Sequence, residues 1–188
     1  MNRDETGNNE NRSERCVKRS VGERRSVMRC LVVYHCRFGN CRRIAENIAR
    51  GLEEAGLEVE LRSSSEARRV GAGFDLLALG SGTRMGRMTG PMRRFIRREI
   101  RGEAWAGKPF LAFGTGMRAQ AGDEKHADWS ARGAQRIYEA LEAKGLKPAS
   151  REARFYVSGM KGPLEDGEEE RALELGREVG RRLSAPVD

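Results

Sequence analysis

The segment Tyr34-His35-Cys36-Arg37-Phe38-Gly39-Asn40-Cys41 follows an apolar run and precedes a stretch of helical periodicity. A strand that turns tightly into a helix presents unpaired backbone N–H groups at the helix N-terminus, where the helix dipole also favours an anion. Gly39 lets the backbone approach that anion, Asn40 tolerates strained φ/ψ or donates its amide, and Arg37 adds a formal positive charge. Taken alone, these residues fit a phosphate cradle and an ordinary βα turn equally. Cys36 and Cys41 carry a second chemistry. Thiols at a helix N-terminus near an arginine have a lowered pKa, and two of them can close a reversible disulfide across the loop. As small side chains in a tight turn they need do neither.

A second segment runs Gly80-Ser81-Gly82-Thr83-Arg84-Met85-Gly86-Arg87-Met88-Thr89-Gly90-Pro91-Met92. A loop this rich in glycine can bring backbone N–H and C=O groups to a planar heterocycle. Met85 and Met88 suit its face, because thioether–aromatic contacts are favourable. The other reading is a surface loop whose methionines fill the core beneath. A third segment begins Phe113-Gly114-Thr115-Gly116-Met117-Arg118-Ala119-Gln120-Ala121-Gly122 and opens a long polar stretch, 114–128.

The elements that must position these segments alternate regularly. Arg29–Tyr34 is an apolar run and predicts a buried strand. Cys41–Ala55 places Ile44, Ala45, Ile48, Ala49 and Leu52 on one helical face, with Gly56 as its C-cap. Leu57–Arg62 predicts a half-exposed strand, Ser63–Ser65 the start of a short helix, and Phe74–Gly80 a second buried strand. Residues 80–90 then read as a glycine-rich loop. Pro91 suits the first turn of a helix to Ile100, and Trp105 follows in a loop. Lys108–Phe113 predicts the fourth strand, Trp129–Lys144 a helix, Leu146–Val157 the fifth strand, and Glu168–Leu183 the last helix. Five strands alternating with helices imply a parallel sheet covered on both faces. Right-handed crossovers make it a doubly wound α/β sheet, whose ligands bind at the carboxyl ends of the strands. The three glycine-rich segments fall at that edge.

Composition bounds the rest. The 188 residues suit one domain, with 28–188 as its body. Residues 1–27 lack apolar periodicity and predict a disordered tail. No apolar run reaches the length of a membrane span, and no secretory h-region opens the chain, so a cytoplasmic protein without membrane attachment is expected. The four cysteines, Cys16, Cys30, Cys36 and Cys41, all lie in the first quarter, and the histidines are two, His35 and His126. That ligand count argues against a structural zinc site. The net charge of +8 favours anionic partners. The arginines sit beside glutamates as on solvated helix faces, and no aromatic-interleaved basic motif points to nucleic acid.

Val32-Val33-Tyr34-x-x-x-x-Gly39-Asn40-x-x-x-Ile44-Ala45 resembles the phosphate loop of flavodoxins. The resemblance spans about residues 29–184 and implies the flavodoxin-like five-stranded sheet order 2-1-3-4-5, with helices on both faces. It also implies bound flavin mononucleotide (FMN), with Cys36, Arg37, Phe38, Gly39, Asn40 and Cys41 around the 5′-phosphate. Where the family places hydroxyls, this chain carries Cys36 and Cys41, which are poor donors. Thr83-Arg84-x-Gly86-x-Met88 is similar to the NAD(P)H:quinone oxidoreductases of the tryptophan-repressor-binding-protein type. That similarity implies backbone contacts from Gly82, Thr83, Arg84, Met85 and Gly86 to the isoalloxazine, with Trp105 lining a quinone pocket. Gly114, Thr115, Gly116 and Met117 resemble the loop along the flavin's other edge; His126 and Trp129 are candidate substitutes for the family's aromatic stackers, although Trp129 reads more readily as a core residue at the start of its helix.

The expected function is an FMN-binding redox protein that exchanges electrons with a partner protein, acidic to suit the basic surface. The alternatives are an FMN-dependent NAD(P)H:quinone oxidoreductase and a flavodoxin-fold interaction domain without flavin. Association into a homo-oligomer is compatible with each.

Overall fold

The computed structural model describes residues 27–118 and 124–185, and the backbone alone for 124–131. The tail assigned to residues 1–27 lies outside the described residues except for Val27, which is exposed. So do Ala119, Gln120, Ala121 and Gly122 of the third segment and the side chains of His126 and Trp129.

Strand β1 (Arg29–His35) lies in a parallel sheet between β2 (Glu58–Ser63), the edge strand, and β3 (Leu76–Arg84), the central one. The two-residue β4 (Arg87–Met88) pairs back on β3. On the far side of β3 lies β5 (Pro109–Met117), and beyond β5 lie β6 (Lys147–Pro148) and β7 (Ala153–Val157). Counting β6 and β7 as one interrupted fifth strand, and setting β4 aside, the order is the expected 2-1-3-4-5.

Helices α1 (Asn40–Glu54) and α4 (Glu168–Ser184) cover one face of the sheet; α2 (Gly90–Glu99) and α3 (Glu124–Glu142) cover the other. Strand alternation divides the core accordingly. Cys30 and Val32 point under α1 with Ile44, Ile48, Leu52 and Val179. Leu31 and Val33 point under α2 and α3 with Met92, Phe95, Ile96 and Ile137. Helices α1 and α4 meet backbone to backbone: a Cβ at Gly51 would lie 2.1 Å from Leu173 O, and one at Gly176 2.3 Å from Ile48 O. No helix among the described residues is long and apolar enough to cross a membrane.

The structure corrects several boundaries, most of them at glycine. Residues 80–84 are strand, because Gly80, Ser81 and Gly82 pair in register with Phe113, Gly114 and Thr115. Low strand propensity is overridden where a neighbour fills the missing side-chain volume. The Phe113 ring does so at Gly80, where a Cβ would come within 2.0 Å of it. The second glycine-rich segment is therefore a strand end and a tight hairpin. Likewise the third segment starts after Met117 rather than after Phe113, and α3 begins at Glu124, earlier than Trp129.

Ser63–Ser65 is a turn, closed by Ser63 Oγ donating to Glu66 Oε2 at 2.7 Å and by the Ala67 N–H donating to Ser63 O at 2.9 Å. The fifth strand breaks into β6 and β7. Phe110 pairs with Pro148 and Phe113 with Ala153, which leaves two extra residues on the outer strand as a bulge.

Candidate functional site

The site lies at the carboxyl ends of β1, β3 and β5. His35, Ser81 and Gly114 stand level across these three strands, so the residues that follow each of them emerge side by side.

After His35 the chain turns through Cys36–Gly39 into α1. Gly39 is the residue before the helix, at φ 89°, ψ −26°, and no side chain caps the helix start. The first intrahelical bond runs from the Arg43 N–H to Gly39 O at 3.1 Å. The N–H groups of Asn40, Cys41 and Arg42 precede it and are the helix's orphan donors. No carboxylate lies between His35 and Arg43 in the chain. The Arg37 guanidinium sits over the Phe38 ring, 5.4 Å from its centroid. This is a cationic, backbone-lined turn whose donor set suits a phosphate.

The loop side chains divide their work. Asn40 Nδ2 donates to Lys161 O at 3.1 Å, so its amide holds a neighbouring loop. Cys41 is 1% exposed and packs in the core under α1. Burial, and secondarily the nearby Cys36, push its thiol pKa well above the ordinary value. The expected lowering of its pKa is thereby corrected: desolvation of a thiolate outweighs the helix dipole here. Cys36 is half-buried, and both thiols are free. The loop's small thiols thus leave donation to the backbone.

The second contribution is the β3–β4 hairpin. Thr83 pairs with Met88 and Arg84 with Arg87 around a two-residue turn, Met85–Gly86. Both turn residues have positive φ, 48° and 70°, which matches the strand twist in a type I′ turn. Met85 stands 74% exposed at its tip. The Thr83 side chain faces α3, since a Cβ at Gly133 would lie 2.3 Å from Thr83 Oγ1. Ser81, fully buried, accepts the Thr89 N–H at 3.4 Å and donates to Gly82 O at 3.1 Å, tying the hairpin to the start of α2.

Gly114, Thr115, Gly116 and Met117 form the end of β5, flanked by β3 and β7. Thr115 is buried beside Gly82, and Met117 is exposed. His35, beside them at the end of β1, has its pKa lowered by burial, and its Nδ1 has no hydrogen-bond partner among the described residues.

Trp105 is not part of this site. It closes a 3-10 turn (Glu103–Trp105) before β5, is 3% exposed, and packs with Phe110 and Ile100 under α2 and α3. A segment that precedes a parallel strand lies at its amino end, so Trp105 sits at the far end of β5, a strand about 26 Å long from Pro109 to Met117. Its assignment to a quinone pocket is corrected.

The structure adds one loop that sequence reasoning passes over. Residues 158–163 follow β7 at the same edge and lie against the phosphate-type turn. A Cβ at Gly162 would meet Asn40 Nδ2 at 2.6 Å, and Asn40 holds Lys161 by its carbonyl. The signal is present in Gly159-Met160-Lys161-Gly162-Pro163, a turn sequence after the last parallel strand.

Comparison with known proteins agrees with this geometry. A model of the Flavodoxin domain matches residues 31–159. A flavodoxin of Aquifex aeolicus (strain VF5) is 35% identical over 99 residues, which are 50% of this chain and 53% of that protein; the match spans about half the length of this curated relative. Among solved structures, a flavodoxin from the domain Archaea aligns over 84% of this chain and 100% of its own, with TM-score 0.67 and 22% identity. A flavodoxin, WrbA-like protein from Agrobacterium tumefaciens aligns over 82% and 96%, with TM-score 0.61 and 20% identity. At these identities the two structures speak for the fold.

Proposed function

The chain belongs to the flavodoxin family, and from that premise we propose that it is an FMN-binding electron carrier. The observation that supports this most is the Cys36–Gly39 turn, whose left-handed Gly39 presents three N–H groups, unpaired among the described residues, at the sheet's switch point beside the cationic Arg37 of the same turn. When bound, the flavin supplies one- and two-electron redox chemistry.

The residues do the holding. The N–H groups of Asn40, Cys41 and Arg42 and the Arg37 guanidinium bind the phosphate dianion, while Cys36, Phe38 and Gly39 shape the turn. Asn40 fixes the 158–163 loop alongside through Lys161 O. Gly82, Thr83, Arg84 and Gly86 would offer backbone groups to the polar edge of the ring, and the exposed Met85 at the hairpin tip would lie over it. Gly114–Met117 line the opposite edge. No side chain of this set has to move a proton.

The second reading, an NAD(P)H:quinone oxidoreductase, keeps Thr83, Arg84, Gly86 and Met88 but loses Trp105 as a pocket residue. NAD(P)H oxidation by the FMN-loaded protein, with and without a quinone, separates the two. The carrier gives no quinone-dependent turnover; turnover that saturates with quinone replaces the carrier with the enzyme.

A further inference from the structure

The arginines of this molecule fall into two sets. On α1, α3 and α4 the guanidinium groups meet carboxylates, as in Arg42–Glu46, Arg43–Glu169, Arg136–Glu139, Arg177–Glu54 and Arg182–Glu178. On α2 and the hairpin before it they mostly do not. Arg84, Arg87, Arg93, Arg94 and Arg97 have no carboxylate within ion-pair distance among the described residues; Arg98 pairs with Glu99, and Arg101 turns its Nε to Arg97 O at 2.8 Å. Residues 84–101 hold seven arginines and one glutamate, a net of six positive charges in a chain of net +8.

This charge is poorly placed for the helix itself. Arg93, Arg97 and Arg101 follow one another at i,i+4 spacing, as do Arg94 and Arg98, and like charges at that spacing repel. The first turn of α2 has no acid to complement the dipole, whereas α4 opens with Glu168, Glu169 and Glu170 and ends with Arg181 and Arg182. The patch widens at the far end of α2, where the Val70 N–H donates to Glu99 Oε2 at 3.2 Å and fixes the exposed Arg68 and Arg69 nearby. At its near end it runs into the candidate site. There Phe38, Met85, Met117 and Met160, four of the five large hydrophobic residues exposed among the described residues, ring the same carboxyl edge.

Resting on the carrier reading, we infer that the exposed face of α2 with the β3–β4 hairpin is the docking surface for an acidic redox protein. Its carboxylates answer the unpaired arginines, and its apolar contacts meet the methionine-rich rim beside the flavin site. Apolar contact next to a complementary charged surface gives such a partner both affinity and register. Nucleic acid fits less well, because the exposed face of α2 has no aromatic residue on which a base can stack. An anionic membrane fits less well too, since Met92, Phe95 and Ile96 are turned into the core and leave α2 no apolar face to insert.

The test is fluorescence anisotropy of a labelled acidic [2Fe–2S] ferredoxin titrated with the full-length chain. A duplex DNA oligonucleotide and phosphatidylserine vesicles serve as competing probes. The ferredoxin is expected to bind at low salt and to weaken steeply as salt rises. The variant Arg93→Glu/Arg97→Glu should lose at least about tenfold in affinity. Lys147→Glu/Arg151→Glu makes the same change in net charge at the β6 edge, on exposed residues without ion pairs among the described residues, and should lose less than about threefold. Thermal melts confirm that both variants fold. Equal losses in the two variants, no ferredoxin binding at low salt, or tighter binding of DNA or vesicles would overturn the docking surface. Ferredoxin binding that depends on α2 in a protein unable to hold FMN would uphold the surface and remove the carrier reading instead.

Discussion

Gly39 and Gly56 bracket helix α1 with nearly the same backbone conformation, φ 89° and φ 90°. At neither would an added Cβ meet a heavy atom within 4 Å. Alanine at either position therefore carries a purely conformational penalty. The left-handed region costs an L-residue about 1–2 kcal/mol, and the stiffer unfolded chain returns about 0.4–1 kcal/mol. In Gly56→Ala, where no ligand depends on the turn, the result should be a loss on the order of 1 kcal/mol of stability, read as a drop of about 2–4 °C in Tm for a chain of this size.

The two differ in what the turn delivers. Gly39 aims the N–H groups of Asn40, Cys41 and Arg42, while Gly56 lies beyond the opposite end of the helix. In Gly39→Ala the free turn, with no bound phosphate to hold it, relaxes out of the left-handed region, and binding must restore it against that preference. The Kd for FMN, titrated by flavin fluorescence quenching, should then rise about five- to thirtyfold. Gly56→Ala should change it by less than about twofold, and Gly39→Asn should recover part of the loss, because asparagine tolerates the left-handed region. Equal weakening in both alanine variants, or unchanged binding in Gly39→Ala, would refute a backbone-built cradle at this turn.

Three further outcomes follow from the packing and the titratable groups. Gly51→Ala drives a Cβ to 2.1 Å from the Leu173 carbonyl and must push α4 off α1; a loss of roughly 1–3 kcal/mol in urea unfolding is expected, and an unchanged midpoint would contradict the close approach. Burial lowers the His35 pKa below its ordinary 6.5. The unfolded chain thus binds the proton first, and this group's contribution is complete above that value and is lost as pH falls below it. The stability difference between about pH 7.5 and about pH 5.5 should shrink in His35→Gln; an unaltered pH profile would remove His35 as its source. Buried Cys41 should resist iodoacetamide in the native protein at mildly alkaline pH and react only on unfolding, as mapped by peptide mass spectrometry; native labelling at Cys41 would show that its thiol is accessible.

How far the sequence can be read depends on whether a residue's own character or its neighbour's decides its conformation. The helix over 40–54 is legible because Ile44, Ile48 and Leu52 repeat at helical spacing and all face one core. The turn at Gly39 is legible for a similar reason, since glycine before a helix after a buried strand has few other uses. Gly80, Gly82, Gly114 and Gly116 mislead. They are strand residues, Gly80 paired with Phe113, Gly82 with Thr115, Gly114 with Ser81 and Gly116 with Tyr156, and the Phe113 ring occupies the space at Gly80, a partner 33 positions away in the chain.

Cys41 reads as a loop thiol by its position and as core by its burial, because the first turn of α1 already faces inward. Trp105 enters the site by resemblance alone; the direction of β5 sets it at the opposite edge. The basic face of α2 is visible in the sequence as arginines, but that Arg93, Arg94 and Arg97 have no carboxylate partner among the described residues emerges only when the carboxylates of α1 and α4 are seen to be engaged elsewhere.

The most direct test of the central claim is the visible spectrum of the full-length protein after incubation with excess FMN and gel filtration. Retained, near-stoichiometric absorbance in the flavin bands at roughly 370 and 450 nm, lost in parallel with affinity in Gly39→Ala, is the predicted result. A protein that elutes folded and colourless would contradict it, and would leave the fold and the basic docking face without a cofactor at the carboxyl edge.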